Sequence, residues 1–192
     1  MHFAAKRSII VPAPNGYFLY CITTVMIVKT ISAREGLFSM LTNYHTHTTR
    51  CGHAEGTEEE YILTALRCGY KVLGFSDHTP WAYATPGFVS HIRMLPAQLD
   101  DYVLTLRSLR EKYADRLHLH IGLEAEYFPA YLGWLKEETE RLGIEYLILG
   151  CHYDTTDEQD AKARRFGGSA SPAHGRRYAE QVERALETGL YR

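Results

Sequence analysis

From Leu41 onward, short apolar runs alternate with stretches in which apolar residues recur every three or four positions, the pattern of strands alternating with amphipathic helices. The first helix is expected to begin at Thr57, where Glu60 three residues on completes a capping box. Ile62, Ala65 and Leu66 form its inner stripe and Gly69 ends it. A strand follows over residues 72–75. Pro96 opens a second helix on which Leu99, Tyr102, Val103, Leu106 and Tyr113 share a face. Strict alternation of Leu117, Leu119, Ile121 and Leu123 marks the next strand. A third helix carries Leu132, Leu135, Thr139 and Leu142, and a fourth strand covers 146–149. The polar stretch 154–169 reads as a loop, and a last helix occupies 172–187, with Gly189 near its end.

This β-α-β-α-β-α-β-α order belongs to a parallel sheet or a β/α barrel. Closing a barrel takes about eight strands. Four units are therefore expected to form an incomplete barrel, with exposed strand edges that favour association and leave the oligomeric state open. The first 39 residues stand apart. Their apolar run from Tyr17 to Val28 is twelve residues long, short of the roughly 20 needed to span a bilayer. Lys6 and Arg7 precede the run as in a signal peptide, but Ile31 stands where a cleavage site wants a small residue. Residues 1–39 are accordingly read as a leader, Met40 as the natural start, and 40–192 as the domain.

The totals narrow the function. A net charge of −2 over 192 residues provides no basic footprint for nucleic acid, and no membrane segment is expected. The four cysteines, Cys21, Cys51, Cys68 and Cys151, form no CxxC pair, which points away from a disulfide framework and toward a reducing cytoplasm.

The ten histidines carry more information, because several fall with acids at the carboxyl ends of strands, where parallel α/β folds place their sites. Strand one ends in Tyr44-His45-Thr46-His47, strand two in Ser76-Asp77-His78, strand three in Leu123-Glu124 and strand four in Cys151-His152. His45 and His47, two apart, face one side of an extended chain and can share one ion. His53 lies in a loop able to fold back to the same point. Imidazoles with carboxylates and no thiolate pair suit zinc, manganese or iron. His118 and His120 repeat the spacing, but His120 lies four residues before Glu124, about 13 Å along a strand, so they are read as barrel-interior or surface residues. His91 and His174 are read as solvated. Cys151 is taken as a small buried neighbour of His152 rather than a nucleophile.

The segments NYHTHTTRCGHAEGTEEEYILTALRCGY, LGFSDHTP, GLEAEY and LILGCHY stand in the order found in histidinol-phosphate phosphatases of the PHP (polymerase and histidinol phosphatase) superfamily, which the chain resembles over residues 43–192. The resemblance implies a distorted β/α barrel with up to three metal ions at its carboxyl-end face. It implies His45, His47, His53, His78, Glu124 and His152 as ligands, with Glu124 bridging two ions. His78, Glu124 and Asp77 become the catalytic candidates, Asp77 by orienting His78. Three further family ligands, in HPD-like and DxH-like motifs, have no counterpart here, so six of nine would be present. The implied reaction is hydrolysis of the small phosphate ester L-histidinol phosphate, with Arg93 as the candidate phosphate grip. The alternatives are a nuclease-like relative, or a catalytically inactive fragment that at most binds metal.

Overall fold

The computed structural model describes residues 11–12, 18–22, 25–29, 41–52, 54–158, 165–166 and 171–191. Ahead of residue 40, the backbones of β1 (Val11–Pro12), β2 (Phe18–Ile22) and β3 (Val25–Lys29) pair antiparallel in that order. The described part of the apolar run is therefore a pair of strands, with Phe18 opposite Lys29 and Ile22 opposite Val25.

The domain follows the expected alternation: β4 (Thr42–Asn43), α1 (Glu58–Arg67), β5 (Val72–His78), α2 (Leu99–Lys112), β6 (His118–Glu126), α3 (Leu132–Leu142), β7 (Tyr146–Gly150) and α4 (Pro172–Glu187). The four strands pair in parallel, in the order β4-β5-β6-β7. This curled sheet is an incomplete TIM-like barrel. Local chemistry sets the helix starts. The Thr57 hydroxyl accepts the Glu60 N–H at 3.2 Å, while the Glu60 carboxylate accepts the Thr57 N–H at 2.7 Å. Pro96 begins a 3₁₀ turn that leads into α2 rather than α2 itself.

Alternation along the strands separates two layers. Leu73, Phe75, Leu119, Ile121, Leu123 and Ala125 are buried against a core that includes Ile62, Leu99, Tyr102, Val103, Leu106 and Leu135. The other face of β6, with His120, Gly122, Glu124 and Glu126, becomes steadily more buried toward its carboxyl end. None of the described helices is long and apolar enough to cross a membrane.

Candidate metal centre

The first candidate donors stand just beyond a strand. Asn43 ends β4: its Oδ1 accepts the His45 N–H at 3.0 Å and its Nδ2 donates to Thr46 Oγ1 at 3.0 Å. The chain leaves the ladder in this turn, but the Thr46 carbonyl still accepts the Ser76 N–H at 2.9 Å, so the segment runs on beside β5. Both imidazoles reach one point. His45 Nε2 and His47 Nε2 are 3.1 Å apart and lie 3.2 and 3.3 Å from Glu124 Oε2. His78 Nδ1 is 3.0 Å from the same oxygen, and His152 Nε2 faces the other oxygen, Oε1, at 3.6 Å. One carboxylate therefore stands between His45, His47 and His78 on one side and His152 on the other.

The spacing of these donors fits a cation. Metal–nitrogen bonds of about 2.0–2.1 Å in a tetrahedral site place neighbouring donors roughly 3.3 Å apart. The electrostatics agree. Burial opposes a charge on His47, but hydrogen bonds to Asp77, Cys51 and Glu124 outweigh it and lift its pKa to about 11. Burial would also raise Glu124, but hydrogen bonds from His45 and His47 and the nearby His78 hold it far below the usual carboxylate range. The cluster calls for positive charge, and without a cation the raised His47 is the group that favours holding a proton.

A pH dependence follows from the raised His47 pKa. A group raised from 6.5 to about 11 stabilises the fold fully below the lower value, and that stability is lost as pH rises toward the upper one. The melting temperature of the metal-free chain should therefore fall between pH 7 and 11. A saturating divalent cation, which needs that nitrogen deprotonated, should flatten the fall. Thermal melts across this range, with and without zinc, check it; a metal-free melting point indifferent to pH would contradict it.

Asp77, expected beside the His78 ring, meets the ring of His47 instead. It is fully buried, and its Oδ1 lies 3.3 Å from His47 Nδ1 and accepts the His78 main-chain N–H at 2.8 Å. Its Oδ2 accepts from the Thr48 hydroxyl and, at 3.1 Å, from the Thr48 N–H. Cys51 is buried and close enough to His47 and Asp77 to form a second group of potential donors. Arg93 is buried as well, with Nε on Asp157 at 3.1 Å and Nη2 on Glu126 at 3.3 Å. His53 lies outside the described residues. His120 pairs with Glu145 at 2.6 Å and stacks near Tyr44, while His118 is exposed at the start of β6. Burial, with Glu126 nearby, pushes the Cys151 thiol up to about 12, which suits an inert neighbour rather than a nucleophile.

Some participants escape the sequence reading. Glu126 is fully buried, accepting the His152 Nδ1–H at 2.7 Å and the His152 main-chain N–H at 2.9 Å. The alternation in Glu124-Ala125-Glu126 was the available signal, since it puts both carboxylates on one face. Tyr146 lies across the sheet interior, its hydroxyl 2.6 Å from the Tyr44 carbonyl and 3.1 Å from that of Phe75. It thereby pins the chain just before His45. Glycines at 74 and 122 give its ring room, and mid-strand glycines signal such close approaches. A cavity of about 330 Å³ opens beside His152, lined by Cys151, Arg165, Phe166, His174 and Tyr178 among others. His174, read from sequence as solvated, thus belongs to a cavity wall.

Four imidazoles gathered around one carboxylate at the carboxyl ends of parallel strands define a β/α-barrel protein with a histidine–carboxylate centre. The chain belongs to the PHP domain family, whose profile matches residues 43–187. A "Probable histidinol-phosphatase" of Deinococcus radiodurans is 34% identical over 116 residues, which cover 59% of this chain and 42% of that protein. A protein of the same name in Schizosaccharomyces pombe is 29% identical over 115 residues, 57% of this chain and 38% of that one. The alignments thus reach less than half the length of either relative. The crystal structure named for the histidinol phosphatase hisK of Listeria monocytogenes superposes with a TM-score of 0.53 at 22% identity, over 67% of this chain and 50% of that one. It supports the fold.

Proposed function

We propose that this chain carries the metal-binding part of a phosphoric monoester hydrolase that splits L-histidinol phosphate into L-histidinol and phosphate. The observation that carries the reading is Glu124, whose two oxygens face separate imidazole groups, the arrangement a carboxylate needs to bridge two ions. The names of the two relatives supply the substrate. His45, His47, His78, Glu124 and His152 would hold divalent cations, with His53 joining them, and the donor set suits zinc, manganese or iron. Such cations would neutralise phosphate oxygens and make water a stronger acid at neutral pH.

The chain's own residues hold this centre in place. Asp77, itself held by Thr48, fixes the far side of the His47 ring, Glu126 fixes that of His152, and Tyr146 anchors the main chain at Tyr44. The cavity beside His152 would take the organic group of the ester against the Phe166 and Tyr178 rings, which pack edge to face at 5.5 Å.

Phosphate release from histidinol phosphate, with manganese or zinc supplied, tests the proposal. Wild type should turn over, and His45→Ala should be slower by about 100-fold or more. Folded wild type that releases no phosphate would overturn the reading. Release from p-nitrophenyl phosphate alone would keep the esterase class and overturn the substrate.

A further inference from the structure

We infer that Arg93 is a positioning residue that sets the imidazole of His152, rather than a grip on substrate phosphate; the inference rests on the metal reading above. A buried chain of polar contacts runs from the loop before α2 to the metal centre. Tyr83 and Ser90 donate to Asp157, the Ser90 hydroxyl at 2.9 Å. Asp157 accepts from Arg93 Nε at 3.1 Å, and Arg93 Nη2 donates to Glu126 Oε1 at 3.3 Å. The same Glu126 oxygen takes the His152 Nδ1–H at 2.7 Å, while Oε2 takes the His152 main-chain N–H at 2.9 Å.

Arg93, Glu126 and Asp157 are 4%, 0% and 5% exposed, so their charges meet almost no water. A buried carboxylate is tolerated only when paired. Arg93 is the cation paired with both carboxylates, and the Phe128 ring lies under its guanidinium at 5.6 Å. Glu126, fixed in this way, holds the His152 ring by its Nδ1–H and its backbone together. That selects the tautomer whose Nε2 lone pair faces Glu124 Oε1, the form a metal needs. The guanidinium edge formed by Nε and Nη2 is occupied by carboxylates, and among the described residues only Nη1 lacks a protein partner. A bidentate phosphate grip through the occupied edge would first have to displace them.

The test titrates the full chain with cobalt(II), followed by visible absorption. Arg93→Met and, separately, Asp157→Asn should each weaken cobalt binding about 10- to 100-fold. Arg93→Lys should keep part of the affinity. The double variant Arg93→Met/His152→Ala should bind no more weakly than His152→Ala alone, within about twofold, because the effect passes through that ring. Additive losses would overturn the inference. So would an unchanged cobalt titration in Arg93→Met with weaker binding of inorganic phosphate, which would make Arg93 the phosphate grip. Should Arg93→Met fail to fold by circular dichroism, Asp157→Asn decides alone.

A wild type that binds no cobalt would sink the metal reading. The inference would then be judged on the ring ¹⁵N shifts of His152 in metal-free protein. These should move in Asp157→Asn and stay fixed in Arg107→Met, a control whose guanidinium caps the Leu142 carbonyl. Shifts unmoved in Asp157→Asn would overturn it.

Discussion

A Glu124→Gln chain will lose most of the thermal stabilisation that a divalent cation gives wild type. A ligand at about a thousand times its Kd stabilises a fold by roughly 4 kcal/mol, which for a chain of this size is about 8–16 °C in melting temperature. Glutamine keeps the shape of Glu124 but not the charge on which three imidazoles converge at 3.0–3.3 Å. Four imidazoles without that anion would meet a dication with no countercharge between them. The metal-free protein should suffer less than the roughly 3–5 kcal/mol of a broken buried ion pair, because the imidazoles can shed protons. Paired melts with and without zinc or manganese measure both effects. A zinc-induced shift as large as wild type's in Glu124→Gln would remove Glu124 from the centre.

The second large effect lies below the metal centre. A Cβ at Gly122 would sit 2.5 Å from two atoms of the Tyr146 ring and 2.7 Å from a third. Gly122→Ala must therefore move a ring that is packed across the sheet and whose hydroxyl reaches the carbonyls of Tyr44 and Phe75. Overpacking of this kind costs about 1–3 kcal/mol, and loss of the Tyr146 hydroxyl's hydrogen bonding to these partly solvated carbonyls adds about 0.5–1.5 kcal/mol. A total near 3 kcal/mol lowers the melting temperature by about 6–12 °C. Metal affinity should fall too, since Tyr44 precedes His45. On a Tyr146→Ala background the same Gly122→Ala change should cost little, because the ring it strikes is gone. If Gly122→Ala melts like wild type while Tyr146 is intact, the ring does not lie against Gly122.

Much of the site was legible because its residues sit at strand ends, and strand ends are visible in apolar patterning. His45 and His47 at a spacing of two, and His78, Glu124 and His152 each closing an apolar run, converge without any knowledge of loops. Asp77 shows where that reading stops. Its neighbour in sequence is His78, so it was paired with that ring, but successive strand residues point to opposite faces. Its carboxylate instead meets His47, thirty residues earlier in the chain. Arg93 shows the same limit from a loop, where no periodicity tells a buried arginine from a solvated one.

Composition and periodicity by themselves determined the α/β alternation, the helix starts such as the Thr57–Glu60 box, and the candidate donors at the strand ends. These rest on interactions local in the chain, which hydrophobic spacing and capping chemistry encode within a few residues. Tertiary structure alone decided that Glu126 and Arg93 stand behind His152, and that Tyr146 crosses Gly122 and Gly74 to hold Tyr44. It also decided that His174 lines a cavity next to His152. Those contacts join residues far apart in the chain, up to 102 positions for Tyr146 and Tyr44, and they exist only once the parallel strands have set the register that brings their side chains into reach.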